Sequence, residues 1–178
     1  EVESRTGKIR SGHRALGHWC TKWCTYPILT GPTTISLFLD IMDFTNKVAL
    51  VTGAGSGIGK ATAYAFAEHG ASVVVADINT ETGATVSRDL GERGYRSFFI
   101  ETDVSDYSST EQMVERALEE YESIDILVNN AGIEFDDRGN IVDMPYEDLT
   151  KILQVNLYGY VNCARSVVPN MRERKQGG

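Results

Sequence analysis

The chain has 178 residues, 42% hydrophobic and 24% charged, with 25 acidic against 17 basic side chains and a formal net charge of −8. Residues 1–41 hold five basic and three acidic residues, so the acidic excess belongs to 42–178, which argues against a nucleic-acid-binding surface. No apolar run reaches the ~20 residues that a membrane span needs, and Cys20, Cys24 and Cys163 make no disulfide framework, so a reducing compartment, the cytoplasm, is expected.

Residues 1–41 show no sustained helical or strand period and do not begin with methionine. They read as an extension, non-native or upstream-translated, or as a poorly ordered tail. Their basic bias also fits a targeting peptide, although helical amphipathicity is poor. Cys20 and Cys24 lie near His13 and His18, but the Cys-x3-Cys spacing lacks a second pair, so no metal site is expected. The domain proper is expected over 42–178.

There the pattern becomes regular. Residues 48–51 form a short apolar run of buried-strand length. Gly53, Gly55, Gly57 and Gly59 follow, and a helical period begins at once, with Ile58, Ala61, Thr62, Ala65 and Phe66 on one face. His69-Gly70 ends the helix, glycine because it readily adopts the left-handed conformation. A second buried strand, 72–76, finishes on Asp77. Strand, glycine turn, helix, strand and terminal acid, with Gly53-x3-Gly57-x-Gly59 spacing, read as a dinucleotide site. Glycines let a diphosphate approach the backbone, and the first unpaired N–H groups of the helix favour an anion. A carboxylate at the tip of the second strand can accept hydrogen bonds from ribose hydroxyls. It would also repel a 2′-phosphate; Ile78 follows it where an arginine could have bound one, and Ser56 adds no positive charge. NAD is therefore expected in preference to NADP.

Asn79 or Thr80 can cap a helix through Arg93. The third strand is expected over 96–101, leading into Thr102-Asp103-Val104, and Ser105 or Ser108 starts the next helix. Met113, Val114, Ala117, Leu118 and Tyr121 give that helix its buried face, and Glu111, Glu115, Glu119, Glu120 and Glu122 a solvated one. The fourth strand, 124–128, runs into Asn129-Asn130-Ala131-Gly132, where two small residues leave room for a ligand and an asparagine amide can tie neighbouring strands. A loop over 133–145, with Asp136-Asp137-Arg138-Gly139, precedes a long helical region opened by Pro145. Leu149, Ile152, Leu153 and Asn156 share one face there, followed by Tyr160, Val161, Ala164 and Val167-Val168.

The segments TGAGSGIG (52–59), Asp103-Val104, NNAG (129–132) and QVNL (154–157) occur in the order seen in the short-chain dehydrogenase/reductase family, and the chain resembles the NAD(P)-binding half of that family over about 42–178. The resemblance implies a partial Rossmann fold: a doubly wound, parallel α/β sheet of order 3-2-1-4 with flanking helices. It assigns cofactor contacts to Gly53, Ser56, Gly57, Ile58, Gly59, Asp77, Asp103, Val104, Asn130, Ala131 and Gly132. Asp103-Val104 would border the adenine, although Asp103 can equally cap the turn before the next helix, and Asn129 a structural position. Asn156 matches the family asparagine that kinks its helix and anchors a water near the catalytic lysine. The helices over 146–174 would form a homo-oligomer interface, and the substrate would be a small alcohol or ketone.

The family's chemistry also needs a serine and a tyrosine followed four residues later by lysine, whose charge lowers the tyrosine pKa. None of the eight tyrosines here has lysine at that spacing; Tyr158 and Tyr160, for example, are followed there by Asn162 and Ala164. The expectation is therefore an N-terminal fragment of an NAD-dependent oxidoreductase, with negligible turnover by itself and an open edge on its fourth strand. The alternative is a non-catalytic dinucleotide-binding or subunit-interaction protein.

Overall fold

A computed structural model describes residues 42–134 and 141–175; the expectations for 1–41, for loop residues 136–139 and for the chain end at 176–178 lie outside the described residues. Strand β1 (Val48–Thr52) is buried along its whole length, as a strand covered on both faces must be. It pairs in parallel with β2 (Ser72–Asp77) from Val48 opposite Ser72 to Thr52 opposite Ala76. On its other edge it pairs with β4 (Ile126–Val128), Leu50 opposite Leu127. Strand β3 (Ser97–Glu101) joins outside β2, with Val73 opposite Ser97, so the order is β3-β2-β1-β4, as expected.

Alternation along the strands sends successive side chains to opposite faces, and each face has its own core. Ala49, Val51, Val73 and Val75 meet helices α1 (Gly57–Glu68) and α2 (Thr80–Glu92) through Ala63, Ala67, Val86 and Leu90. Leu50, Val74 and Ala76 meet α3 (Tyr107–Tyr121) and α5 (Gly159–Arg174) through Met113, Ala117, Cys163 and Val167. Between β4 and α5 lie a short 3₁₀ turn (Ile141–Asp143), α4 (Tyr146–Leu153) and one π-helical turn (Gln154–Tyr158) that joins α4 directly to α5. Among the described residues, no helix is long and apolar enough to cross a membrane, and no cluster of three metal-ligating side chains occurs.

Several expectations are corrected. Helix α1 buries Gly59, Ala63 and Ala67, not the stripe of Ile58, Ala61, Thr62, Ala65 and Phe66; of these Phe66 is half-buried and Ile58 is 79% exposed. The smallest side chains face the sheet because they let the helix axis lie close to it, a preference that a hydrophobic period does not register. Helix α3 is capped by Asp106, whose carboxylate accepts the Ser108 N–H at 3.0 Å, and not by Ser105 or Ser108. For α2 the cap is Asn79, accepting from the Thr82 N–H. Strands β3 and β4 begin at Ser97 and Ile126, later than expected, although the Asp125 N–H already reaches the Val48 carbonyl. Of the apolar positions expected to follow on α5, Val167 is buried. The buried set of α5 is Gly159, Cys163, Val167 and Met171, while Tyr160, Val161 and Val168 are exposed. A π turn inserts an extra residue and rotates everything after it, so a helical phase set before residue 154 cannot be carried past 158.

Candidate functional site

The loops at the C-terminal ends of all four strands enclose a cleft of about 940 Å³, at the upper end of the usual range for small-molecule sites. At the end of β1 the chain turns at Gly53 (φ +63°), where a Cβ would lie 2.9 Å from the Ala131 Cα. Ser56 is the N-cap of α1, and its side chain makes no capping bond. The first amides of the helix therefore have no intrahelical partner, and Ser56, Gly57 and Ile58 face the cleft. Of the turn residues expected to contact the cofactor, Gly53, Ser56, Gly57 and Ile58 line it and Gly59 does not. The space of its absent Cβ is taken by the Gly53 carbonyl oxygen and the Asn130 amide, so its role is to let the turn close on the β4 loop.

The Asp77 carboxylate stands at the tip of β2. One oxygen accepts the Gly55 N–H at 2.7 Å and the other the Asn79 N–H at 2.8 Å, which locks the carboxylate against the glycine turn. Each carboxylate oxygen keeps a further lone pair for a ligand hydroxyl. Exposed Ile78 is its neighbour in the cleft wall.

Beyond β3, both Asp103 and Val104 line the cleft. Asp103 Oδ1 accepts the Ser105 N–H at 2.9 Å and the Ser105 hydroxyl at 2.7 Å, so the turn-capping role is present. Oδ2 has no hydrogen bond among the described residues, which leaves the carboxylate able to serve a ligand as well. Val104 is buried, and Asn162 on α5 donates to its carbonyl at 3.0 Å.

At the β4 tip, Asn130, Ala131 and Gly132 all border the cleft. The strand tie is made by Asn130: its side-chain amide donates to the Thr52 carbonyl at 2.9 Å and the Gly53 carbonyl at 3.3 Å. The Asn130 and Ala131 N–H groups both donate to the Thr52 hydroxyl, at 3.0 and 3.1 Å. Asn129 points the other way, donating to the Tyr160 carbonyl at 3.3 Å. Thr52 escaped the sequence reading, although a hydroxyl ending an apolar strand just before a glycine is the available signal.

Asn156 lies in the π turn and does not line the cleft. Its Oδ1 accepts the Ile133 N–H at 2.8 Å and its Nδ2 donates to the Ile133 carbonyl at 2.9 Å. One side chain thus replaces both bonds of a strand partner and fixes the loop that follows Gly132. Ile133, Glu134, Lys151, Gln154 and Val155 complete that end of the cleft. Gln154 and Val155 lie in the QVNL segment without having been expected at the cofactor, and Ile133, Glu134 and Lys151 belong to no motif; only folding brings α4 to the strand tips. The thiol of Cys163 is buried in the core, and burial pushes its pKa up to about 11, so it offers no thiolate for chemistry.

A dinucleotide fits these residues: a close-approach turn without Cβ atoms, unpaired helix amides for a diphosphate, and a carboxylate at the second strand tip. The short-chain dehydrogenase family model matches residues 47–178. Oxidoreductase UcpA of Salmonella typhimurium is 42% identical over 133 residues, covering 75% of this chain and 49% of that protein. An uncharacterized oxidoreductase of Thermotoga maritima is 41% identical over 131 residues, 74% of this chain and 50% of that one. The crystal structure of a short-chain type dehydrogenase/reductase from Mycobacterium marinum superposes with a TM-score of 0.73 at 34% identity, covering 79% of this chain and 56% of that one. The chain thus spans about half the length of the curated relatives it matches. With the parallel 3-2-1-4 sheet and its strand-tip cleft, these likenesses place the chain in the short-chain dehydrogenase family of oxidoreductases.

Proposed function

We propose that this chain binds NAD in the strand-tip cleft, and that the protein it represents transfers hydride between NAD(H) and a small alcohol or ketone. The observation that carries the cofactor reading is Asp77, held against the Gly55 N–H at 2.7 Å beside uncharged Ile78. A carboxylate so fixed favours ribose hydroxyls and opposes a 2′-phosphate, which argues for NAD over NADP. The amides at Ser56, Gly57 and Ile58 would hold the diphosphate, Asp103 and Val104 the adenine, and Asn130 to Gly132 the second ribose and the nicotinamide. Bound NAD supplies the hydride acceptor, or in reduced form the donor. Asn156 acts from outside the cleft by fixing the Ile133 backbone.

No tyrosine in these 178 residues carries a lysine four positions later, so no general acid of the family type is available. We therefore assign the polypeptide binding without appreciable turnover. Exposed Leu157, Tyr158, Val161 and Val168 on the segment 146–174 support a homo-oligomer interface, and cysteine usage a reducing compartment such as the cytoplasm.

The test is calorimetric titration with NAD and separately with NADP, with circular dichroism on the same sample. Micromolar-to-millimolar NAD binding, NADP at least about tenfold weaker, and loss of that preference in Asp77→Ser would bear the reading out. A well-folded chain that ignores NAD would overturn it, and oxidation or reduction of alcohols or ketones at an ordinary enzymatic rate would refute the assignment of binding without turnover.

A further inference from the structure

The described lining of the cleft carries three carboxylates, Asp77, Asp103 and Glu134, and one cation, Lys151. That balance is unfavourable for a doubly charged diphosphate, and the chain as a whole is acidic, with a net charge of −8. Amide dipoles at the start of α1 answer part of this from one side. Helix α1 packs on one face of the sheet through Ala63 and Ala67, and α5 on the other through Cys163 and Val167. Lys151 lines the cleft from the α4 segment, which is continuous with α5 and not with α1.

That segment is anchored. Gly159 lies so close to Val104 that a Cβ would come within 2.7 Å of its methyl group. Asn162 donates to the Val104 carbonyl at 3.0 Å, Asn156 clamps Ile133, and Val155 packs against the cluster that holds Val104. The backbone one turn before Val155 is therefore held in place. The Lys151 ammonium is also unspent: Glu147 and Asp148 stand one turn before it on α4, yet no carboxylate of the described residues lies within 4.0 Å of it.

We propose that Lys151 is an anion-binding residue of the cleft, meeting the phosphate groups of the dinucleotide from the α4 segment. This inference rests on the reading of the cleft as a dinucleotide site. A flexible, solvated ammonium contributes modestly, about two- to fivefold in affinity, and its contribution is screened by salt.

The experiment is calorimetric titration of the full 178-residue chain with NAD, ADP-ribose and adenosine at two salt concentrations, for wild type, Lys151→Met and Lys151→Arg, each checked for fold by circular dichroism. Lys151→Met should weaken NAD and ADP-ribose by that factor, leave adenosine unchanged and flatten the salt dependence, and Lys151→Arg should restore binding. Lys151→Met binding NAD like wild type, with the same salt dependence, overturns the inference and leaves the cleft reading standing. Equal weakening of adenosine also overturns it, since the role would then be packing. A folded wild type that binds neither NAD nor ADP-ribose removes both.

Discussion

Asn156 offers a sharp test of how the π turn serves the cleft. Its amide makes two hydrogen bonds to one backbone unit, accepting from the Ile133 N–H at 2.8 Å and donating to the Ile133 carbonyl at 2.9 Å. Each is worth about 1 kcal/mol net, and water can replace both in part because Asn156 is exposed, so Asn156→Ala should cost about 1–2 kcal/mol. Asn156→Asp is nearly isosteric but retains only the acceptor. Its ionised form turns an oxygen toward the Ile133 carbonyl, and the loss should rise to about 2–3 kcal/mol at neutral pH. Protonation restores a donor. The folded-state pKa of this new carboxyl is therefore raised above its unfolded value, so the deficit relative to wild type is fully present well above that pKa and shrinks as pH falls through it. Urea denaturation at pH 7 and pH 4, with NAD titration of the same samples, reads all three effects. Should Asn156→Asp and Asn156→Ala be equally stable at both pH values, the clamp would not be the interaction that holds the loop.

Gly59→Ala should abolish NAD binding and cost about 3 kcal/mol, because the new methyl meets the Gly53 carbonyl, a backbone atom that cannot swing aside; an NAD isotherm like that of wild type would contradict this. Asp125 is 5% exposed and is held by the Arg174 guanidinium at 3.1 Å and the Val48 N–H at 2.9 Å, with Lys47 at 4.0 Å. Because Arg174 is 30% exposed, Arg174→Met should cost about 2 kcal/mol, less than a fully buried pair, and much less when Asp125→Asn is already present; equal losses in the two backgrounds would rule out the pairing. Burial raises the Cys163 pKa from 9.0 to about 11, so the native state keeps its proton where the unfolded chain loses it. Its contribution is complete below about pH 8 and declines as pH rises through 9 toward 11, and Cys163→Ala should flatten that decline in a Tm series; parallel curves would refute it.

What could be read from the chain beforehand follows from covalent proximity. Strand β1, the glycine turn, α1, β2 and Asp77 are contiguous, so short-range rules of burial, turn conformation and capping apply to them directly, and the cleft residues Gly53, Ser56, Gly57 and Ile58 emerged by number. The same holds for the Asp103-Val104 and Asn130 to Gly132 strand ends, because chain ends of parallel strands meet at one edge of the sheet. The reading failed wherever a choice depended on something distant in sequence. The face of α1 was misassigned because alanines and a glycine look uninformative until the sheet that they approach is present. The face of α5 was anticipated at Val167 but not at Cys163 or Met171, because the π turn shifts the helical phase.

The role of Asp103 shows the boundary in one side chain. The sequence allowed it to cap a turn or to meet a ligand, and the folded loop makes it cap Ser105 with Oδ1 while Oδ2 faces no hydrogen-bond partner among the described residues. By itself, the order of strands, turns and acids determined an α/β dinucleotide-type fold, because local periodicity and the obligatory right-handed parallel crossovers leave few topologies open. Tertiary structure decided which amide ties β1 to β4, that Thr52 receives two N–H groups, that Asn156 clamps Ile133, and that Lys151 reaches the cleft. Those contacts join residues 23 to 79 positions apart, or two faces of the sheet. Their partners are selected by packing the sheet and its helices together, and no spacing within the chain encodes that selection.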